Sequence, residues 1–172
     1  MKLASTCLLV FLASAEVGIA GCPSESFIQN VGLAFMSAAR SGDAGSFSSA
    51  ASRFSDVRSL ALFALGPYRK NLPKNREAEY VALTKKFMGS FMSRYASRFS
   101  GTSIEITRCA GNIVTTKLST GQGLVFRLRG SHHIEDVSVS GVWLAQTLRS
   151  RFVGVLSENN GDVDALLEWL RG

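Results

Sequence analysis

The sequence predicts an α+β fold with N-terminal helices, a four-stranded and mainly antiparallel sheet, and C-terminal helices, with either a dry core or a cavity between the sheet and the helices. Three observations carry this. Apolar residues recur every three or four positions through the early and late parts of the chain, and they alternate with period two between Ser103 and Ser140. Glycine-rich turns cut that alternating stretch into four short runs.

The first 21 residues read as an export signal peptide, and residues 22–172 as a single domain. Lys2 supplies a minimal positive start, Leu3 to Ala13 a short apolar run, and Gly18-Ile19-Ala20 the small residues at minus three and minus one. The apolar run is too short to span a bilayer, and Glu16 interrupts it. The remaining length suits one domain with its own core, and a composition of 46% hydrophobic residues is globular.

Helices come first. Phe27, Val31, Phe35 and Ala38 form one stripe, and Phe47, Ala50 and Phe54 a weaker one beyond Ser41-Gly42-Asp43. Asp56 caps a third helix, Val57 to Leu65, which stops at Gly66-Pro67 because proline cannot continue the hydrogen-bond ladder. The longest helix follows Pro73: Tyr80, Leu83, Phe87, Phe91, Tyr95 and Phe99 recur at helical spacing up to Ser100-Gly101.

Strands are expected at Ser103 to Arg108, Ile113 to Ser119, Leu124 to Arg129 and Ile134 to Ser140, joined as a meander. One face carries Ile104, Ile106, Val114, Leu118, Leu124, Phe126, Leu128, Val137 and Val139; the other carries Glu105, Thr107, Lys117, Arg127 and Arg129. Helices must therefore cover one face only, and a half-shell of that kind encloses either a dry core or a cavity. In DVSVSGVWLAQTLRSRF, Asp136 to Phe152, the rhythm changes after Gly141 from alternation to helical spacing, so a strand runs straight into a helix. Asp162 caps the closing helix, Val163 to Leu170.

The formal charge of +6 survives loss of the signal, which removes one Lys and one Glu. A basic exported protein meets anionic lipid more than nucleic acid. The cations are scattered, with no run longer than Arg69-Lys70 or Lys85-Lys86, which also describes a plain solvated surface. Of the cysteines, Cys22 and Cys109 remain: they can pair in an oxidising compartment, or Ile19-Ala20-Gly21-Cys22 can act as a lipobox with Cys22 acylated. Two cysteines and the adjacent His132 and His133 lack metal-ligand spacing. For catalysis the candidate carboxylates are Glu105, Glu135 and Asp136, but no acid/base pair or nucleophile accompanies them.

Particular residues carry a family resemblance. Phe63-Ala64-Leu65-Gly66-Pro67-Tyr68-Arg69, the segment Pro73 to Phe99 with Arg76 and its end Tyr95-Ala96-Ser97-Arg98-Phe99, and Asp136 to Phe152 follow one another as in the MlaC-type, or toluene-tolerance, family of periplasmic phospholipid carriers. The succession covers Asp56 to Leu170. Departures fall at Pro67 and Arg69, at Leu72 before Pro73, and at His132-His133. The resemblance implies a non-enzymatic periplasmic protein without a cofactor, with phospholipid as its cargo in a lipid cavity. Such a carrier is the soluble part of an ABC transport system that maintains outer-membrane asymmetry. Its partners would be an outer-membrane lipoprotein complex and an inner-membrane ABC transporter with an MCE-type lipid-binding subunit.

Acyl chains are then expected against Phe63 and Tyr68, against Phe87, Phe91 and Tyr95 of the long helix, and against Leu124, Phe126, Leu128, Val137 and Val139 of the sheet. Trp143, Leu148 and Phe152 complete the set. Each buried methylene contributes about 0.8 kcal/mol, so one chain of ~16 carbons represents roughly 12 kcal/mol. Release into water is opposed by that sum. A non-transport structural envelope protein or lipoprotein is the alternative, and an enzyme on a similar shell the more distant one.

Overall fold

The structure is a computed structural model that describes residue 22 and residues 24–172; the expected export signal, residues 1–21, lies outside the described residues. Helices α1 (Glu25–Ser41), α2 (Ala44–Phe54), α3 (Val57–Ala64) and α4 (Glu77–Ser93) precede strands β1 (Ile104–Ala110), β2 (Ile113–Leu118), β3 (Gly123–Arg129), β4 (His133–Val139) and β5 (Val142–Trp143). Helices α5 (Leu144–Glu158) and α6 (Val163–Arg171) close the chain. Among the described residues no helix is long and apolar enough to cross a membrane.

The caps form as the sequence predicts. Asp56 accepts a hydrogen bond from the Ser59 N–H at 2.9 Å, and Asp162 from the Asp164 N–H at 2.8 Å, satisfying amides that have no partner within the helix. These bonds hold the Asp56 carboxyl below its usual range, the Ser59 hydroxyl and then its N–H being the main causes.

The strands form one antiparallel meander in the order β1-β2-β3-β4-β5. A fifth strand therefore joins the expected four. Ser140 and Gly141, both at positive φ (53° and 82°), make a two-residue hairpin that pairs Val142 with Val139 and Trp143 with Ser138. The helix expected from Val142 begins instead at Leu144.

The inner sheet face carries Ile104, Val114, Leu118, Leu124, Phe126, Leu128 and Val137, all buried. Ile134 joins them because β4 is bulged: Arg127 faces Asp136 and Leu128 faces Ile134, leaving Glu135 as the extra residue. Without that bulge Ile134 and Val137 would lie on opposite faces.

Helix α4 departs most from expectation. It ends at Ser93, and Ala96–Phe99 is a separate 3-10 turn. Its core-facing row is Tyr80, Thr84, Met88 and Met92, one step round the helix from Phe87 and Phe91. The displaced aromatics form a ladder on the helix flank. Phe87 packs on Trp169 of α6, with centroids 5.1 Å apart, and Phe91 on Tyr95, also at 5.1 Å.

Cys22 and Cys109 are joined by a disulfide across 87 residues of sequence, with Cα atoms 5.9 Å apart. This ties the start of α1 to the end of β1, closing a loop worth about 4.6 kcal/mol in the chain-entropy treatment. The Cys22 sulfur so engaged is the atom that a lipid anchor would require.

Helices α2 and α4 approach closely at Gly89, where an added Cβ would overlap the Ala44 carbonyl and the Ser48 hydroxyl. Gly154 in α5 has nothing within 4 Å of such an atom. Replacing a helical glycine by alanine in open space stabilises by about 0.5–1 kcal/mol, whereas overpacking costs about 1–3 kcal/mol. Urea denaturation is expected to show Gly154→Ala more stable and Gly89→Ala less stable than wild type. Equal effects at the two sites would contradict the α2–α4 packing.

Candidate functional site

The inner sheet face and the helices meet over an apolar recess. At its inner end Phe35 and Met36 of α1, Met88 and Met92 of α4, and Leu124, Phe126 and Val137 of the sheet surround a void of ≈ 30 Å³. Ser55 is the one hydroxyl lining it, and that group is occupied, donating to the Ala51 carbonyl. Met92, Phe99, Val137 and Leu144 border both this void and an adjoining open mouth of ≈ 280 Å³. Phe91, Tyr95, Val139 and Val142 give the mouth apolar walls, with Arg98, Ser140, Thr147 and Arg151 among them.

The β4–β5–α5 corner builds half of that mouth. Val137 and Val139 point inward, the hairpin at Ser140-Gly141 turns the chain, Val142 is left 61% exposed, and Leu144 starts α5 beside the opening. What fixes the corner is Asp136. Its Oδ1 accepts from the Val137 N–H at 2.8 Å and from the Ala145 N–H at 2.9 Å. Ala145 lies in the first turn of α5, so a carboxylate of β4 satisfies an amide of a helix nine residues on.

Asp136 is 3% exposed, and burial pushes its carboxyl above the usual range despite the two amides that favour the charged form. It borders a depression of ≈ 360 Å³ with Phe63, Arg127 and Arg129. A buried carboxyl of raised pKa in a depression is the pattern of a general acid; here both backbone amides converge on Oδ1, which gives the residue a structural role in joining β4 to α5. Glu105 and Glu135 are exposed, and among the described residues no group of three or more His, Cys, Asp or Glu is gathered.

Of the residues expected against acyl chains, six line the recess. Leu124 and Phe126 border the inner void, Phe91, Tyr95 and Val139 the mouth, and Val137 both. The others lie elsewhere. Leu128, Leu148 and Phe152 are buried core, and Phe87 packs between Phe152 and Trp169. Tyr68 sits beside Gly161 in the α5–α6 turn. Phe63 lies 39% exposed under the Arg149 guanidinium, and Trp143 stacks under that of Arg127 at 4.5 Å.

Sequence reasoning missed Met88 and Met92 as lining residues. They form a strict four-residue row with Tyr80 and Thr84, a signal that the heavier aromatic row beside it obscured. Arg98 and Arg151 were passed over as scattered surface charge.

An α+β half-shell whose apolar recess opens at one edge of the sheet is a ligand-holding architecture. The chain belongs to the MlaC protein family, whose family model matches residues 39–172. Among solved structures it is similar to the phospholipid-binding protein from Ralstonia solanacearum in complex with a phospholipid, with a TM-score of 0.65 at 14% identity. That superposition covers 87% of this chain and 93% of the other, and it shows a shared fold. A comparison with curated proteins finds no match.

A raised carboxyl pKa means the folded state holds the proton more tightly than the unfolded chain. The contribution of Asp136 to stability therefore falls as pH rises from the ordinary carboxylate range through its folded pKa, opposite in sign to that of Asp56. Asp136→Asn keeps an acceptor and removes the buried charge, so urea denaturation at neutral pH should find it as stable as wild type or more so. Asp136→Ala leaves buried amides unpaired and should lose about 1–3 kcal/mol. Equal losses in both variants would contradict the capping role.

Proposed function

We propose that the protein binds phospholipid, with acyl chains in the recess between sheet and helices, and carries it through the periplasm. The observation that carries this reading is that an apolar inner void and an open, apolar-walled mouth at the β4–β5 edge lie on either side of shared residues, Met92, Phe99, Val137 and Leu144. Membership of the MlaC family and likeness in fold to a protein solved with a phospholipid support it. In this reading residues 1–21 are the export signal and residues 22–172 the carrier domain. The Cys22–Cys109 bond suits an oxidising compartment and leaves the carrier unanchored.

Transfer follows from energetics. Roughly 12 kcal/mol per chain of ~16 carbons opposes release into water, so lipid must pass directly into another apolar conduit. The partners proposed are an outer-membrane lipoprotein complex and an inner-membrane ABC transporter with an MCE-type subunit, in a system that maintains outer-membrane asymmetry. No step makes or breaks a covalent bond.

Loading requires the walls to yield. Pockets for drug-sized ligands run to ~300–1,000 Å³, whereas the inner void measures ≈ 30 Å³ and the mouth ≈ 280 Å³. Met36, Met88 and Met92 stand where the sheet and helices meet, and methionine is the side chain that reshapes at least cost. The narrow void also favours a second reading, a structural envelope protein with a filled core.

Replacing Val139 by Trp at the mouth separates the two. The carrier reading expects detergent-free wild-type protein to show a phospholipid mass adduct in native mass spectra, and V139W to lose the adduct while melting near wild type. A filled core expects no adduct in either protein and a loss of about 1–3 kcal/mol in the variant.

A further inference from the structure

We infer that the mouth selects phospholipids of net negative headgroup charge, with the guanidinium groups of Arg98 and Arg151 meeting the phosphate. The inference rests on the carrier reading and adds the class of lipid carried.

Arg98 lies in the 3-10 turn Ala96–Phe99 and Arg151 in the middle of α5, so two separate elements bring a cation to one opening. Both are exposed. The remaining mouth residues are apolar or carry hydroxyls, as Tyr95, Ser140 and Thr147 do; no carboxylate lines the mouth among the described residues.

Four arginines elsewhere are paired with carboxylates, whereas among the described residues Arg40, Arg53, Arg69, Arg94, Arg108, Arg127 and Arg149 are not, so it is the position of Arg98 and Arg151 at the mouth that sets them apart. Arg58 pairs with Glu77, Arg76 with Glu79 and Asp164, Arg129 with Asp56, and Arg171 with Glu79. Among the described residues neither Arg98 nor Arg151 has such a partner within 4.0 Å. Arg151 lies against the Phe91 ring instead, 5.5 Å from its centroid, and Arg94 approaches the same ring at 5.8 Å. The ring holds a guanidinium at the mouth without neutralising it.

A phosphodiester offers one negative charge and two free oxygens, and a guanidinium fork matches that geometry. With acyl chains in the recess, the phosphate falls at the level of these arginines. A phosphatidylglycerol headgroup adds only hydroxyls beyond the phosphate. A phosphatidylethanolamine headgroup adds an ammonium that meets two like charges and no acid. Both arginines are solvated, so the preference is moderate, about three- to tenfold, and weakens with salt.

The test loads the mature protein from vesicles holding equal phosphatidylglycerol and phosphatidylethanolamine with matched chains, and reads the ratio in the lipid extracted from it. Wild type should favour phosphatidylglycerol by about three- to tenfold. The double variant Arg98→Gln with Arg151→Gln should approach parity, and Arg98→Lys with Arg151→Lys should keep part of the preference. Arg108→Gln with Lys117→Gln removes the same charge from the strands away from the mouth and should leave the ratio at its wild-type value.

Parity in lipid-loaded wild type, or an unchanged ratio in the double Gln variant, would overturn the inference while leaving the carrier reading intact. Absence of lipid from wild type would overturn both. Excess inorganic phosphate should leave the preference in place, and its loss on adding phosphate would reassign the arginines to a simple anion site.

Discussion

A meander sheet with one apolar face cannot stand alone in water, and the need to cover that face governs the rest of the molecule. Val114, Leu118, Leu124, Phe126, Leu128 and Val137 are all buried, whereas Glu105, Lys117 and Arg129 on the other side are exposed. Burial contributes about 25 cal/mol per Å² of apolar area, so each inward residue recruits helix surface. Coverage is close where Gly32 of α1 meets Ile104 and where Gly89 lets α4 settle on α2. It fails at the β4–β5 edge, where Val142 remains 61% exposed, and there the recess opens.

The same edge shows how a buried charge can position an apolar site. Two backbone amides anchor the Asp136 carboxyl, one in its own strand and one in α5, so Leu144, Thr147 and Arg151 take their places at the mouth from a single acceptor. Methionines face the inner void and arginines rim the opening. A deformable interior and a cationic rim suit a cargo with flexible apolar chains and a phosphate, each part met by the chemistry it needs.

Much of the fold was legible because local chemistry and tertiary demand agreed. Glycine turns at Gly111, Gly121 and Gly130 divide the strands, and Asp56 and Asp162 cap the helices that follow them. The order of segments from Asp56 to Leu170 led to the family. Where two local solutions were nearly equal, tertiary contacts decided. On α4 the rows Phe87–Phe91 and Thr84–Met88–Met92 lie one step apart, and Trp169 of α6 packs on Phe87 of the aromatic one. β5 is two residues long, too short for an alternation to register, and its hairpin needs positive φ at Ser140, which few serines adopt. The bulge at Glu135 leaves no trace in composition. The fate of Cys22 hung on distance across the fold, which the sequence does not record.

Photocrosslinking tests the central claim, that acyl chains lie between the sheet and the helices, most directly. A phospholipid bearing a diazirine at the end of one acyl chain would be loaded into the mature protein, irradiated, and the adducts mapped by peptide mass spectrometry. The account predicts adducts on the inner lining, at Met36, Met88, Met92 or Phe126. Adducts confined to the outer aromatic ladder at Phe87 and Trp169 would contradict it.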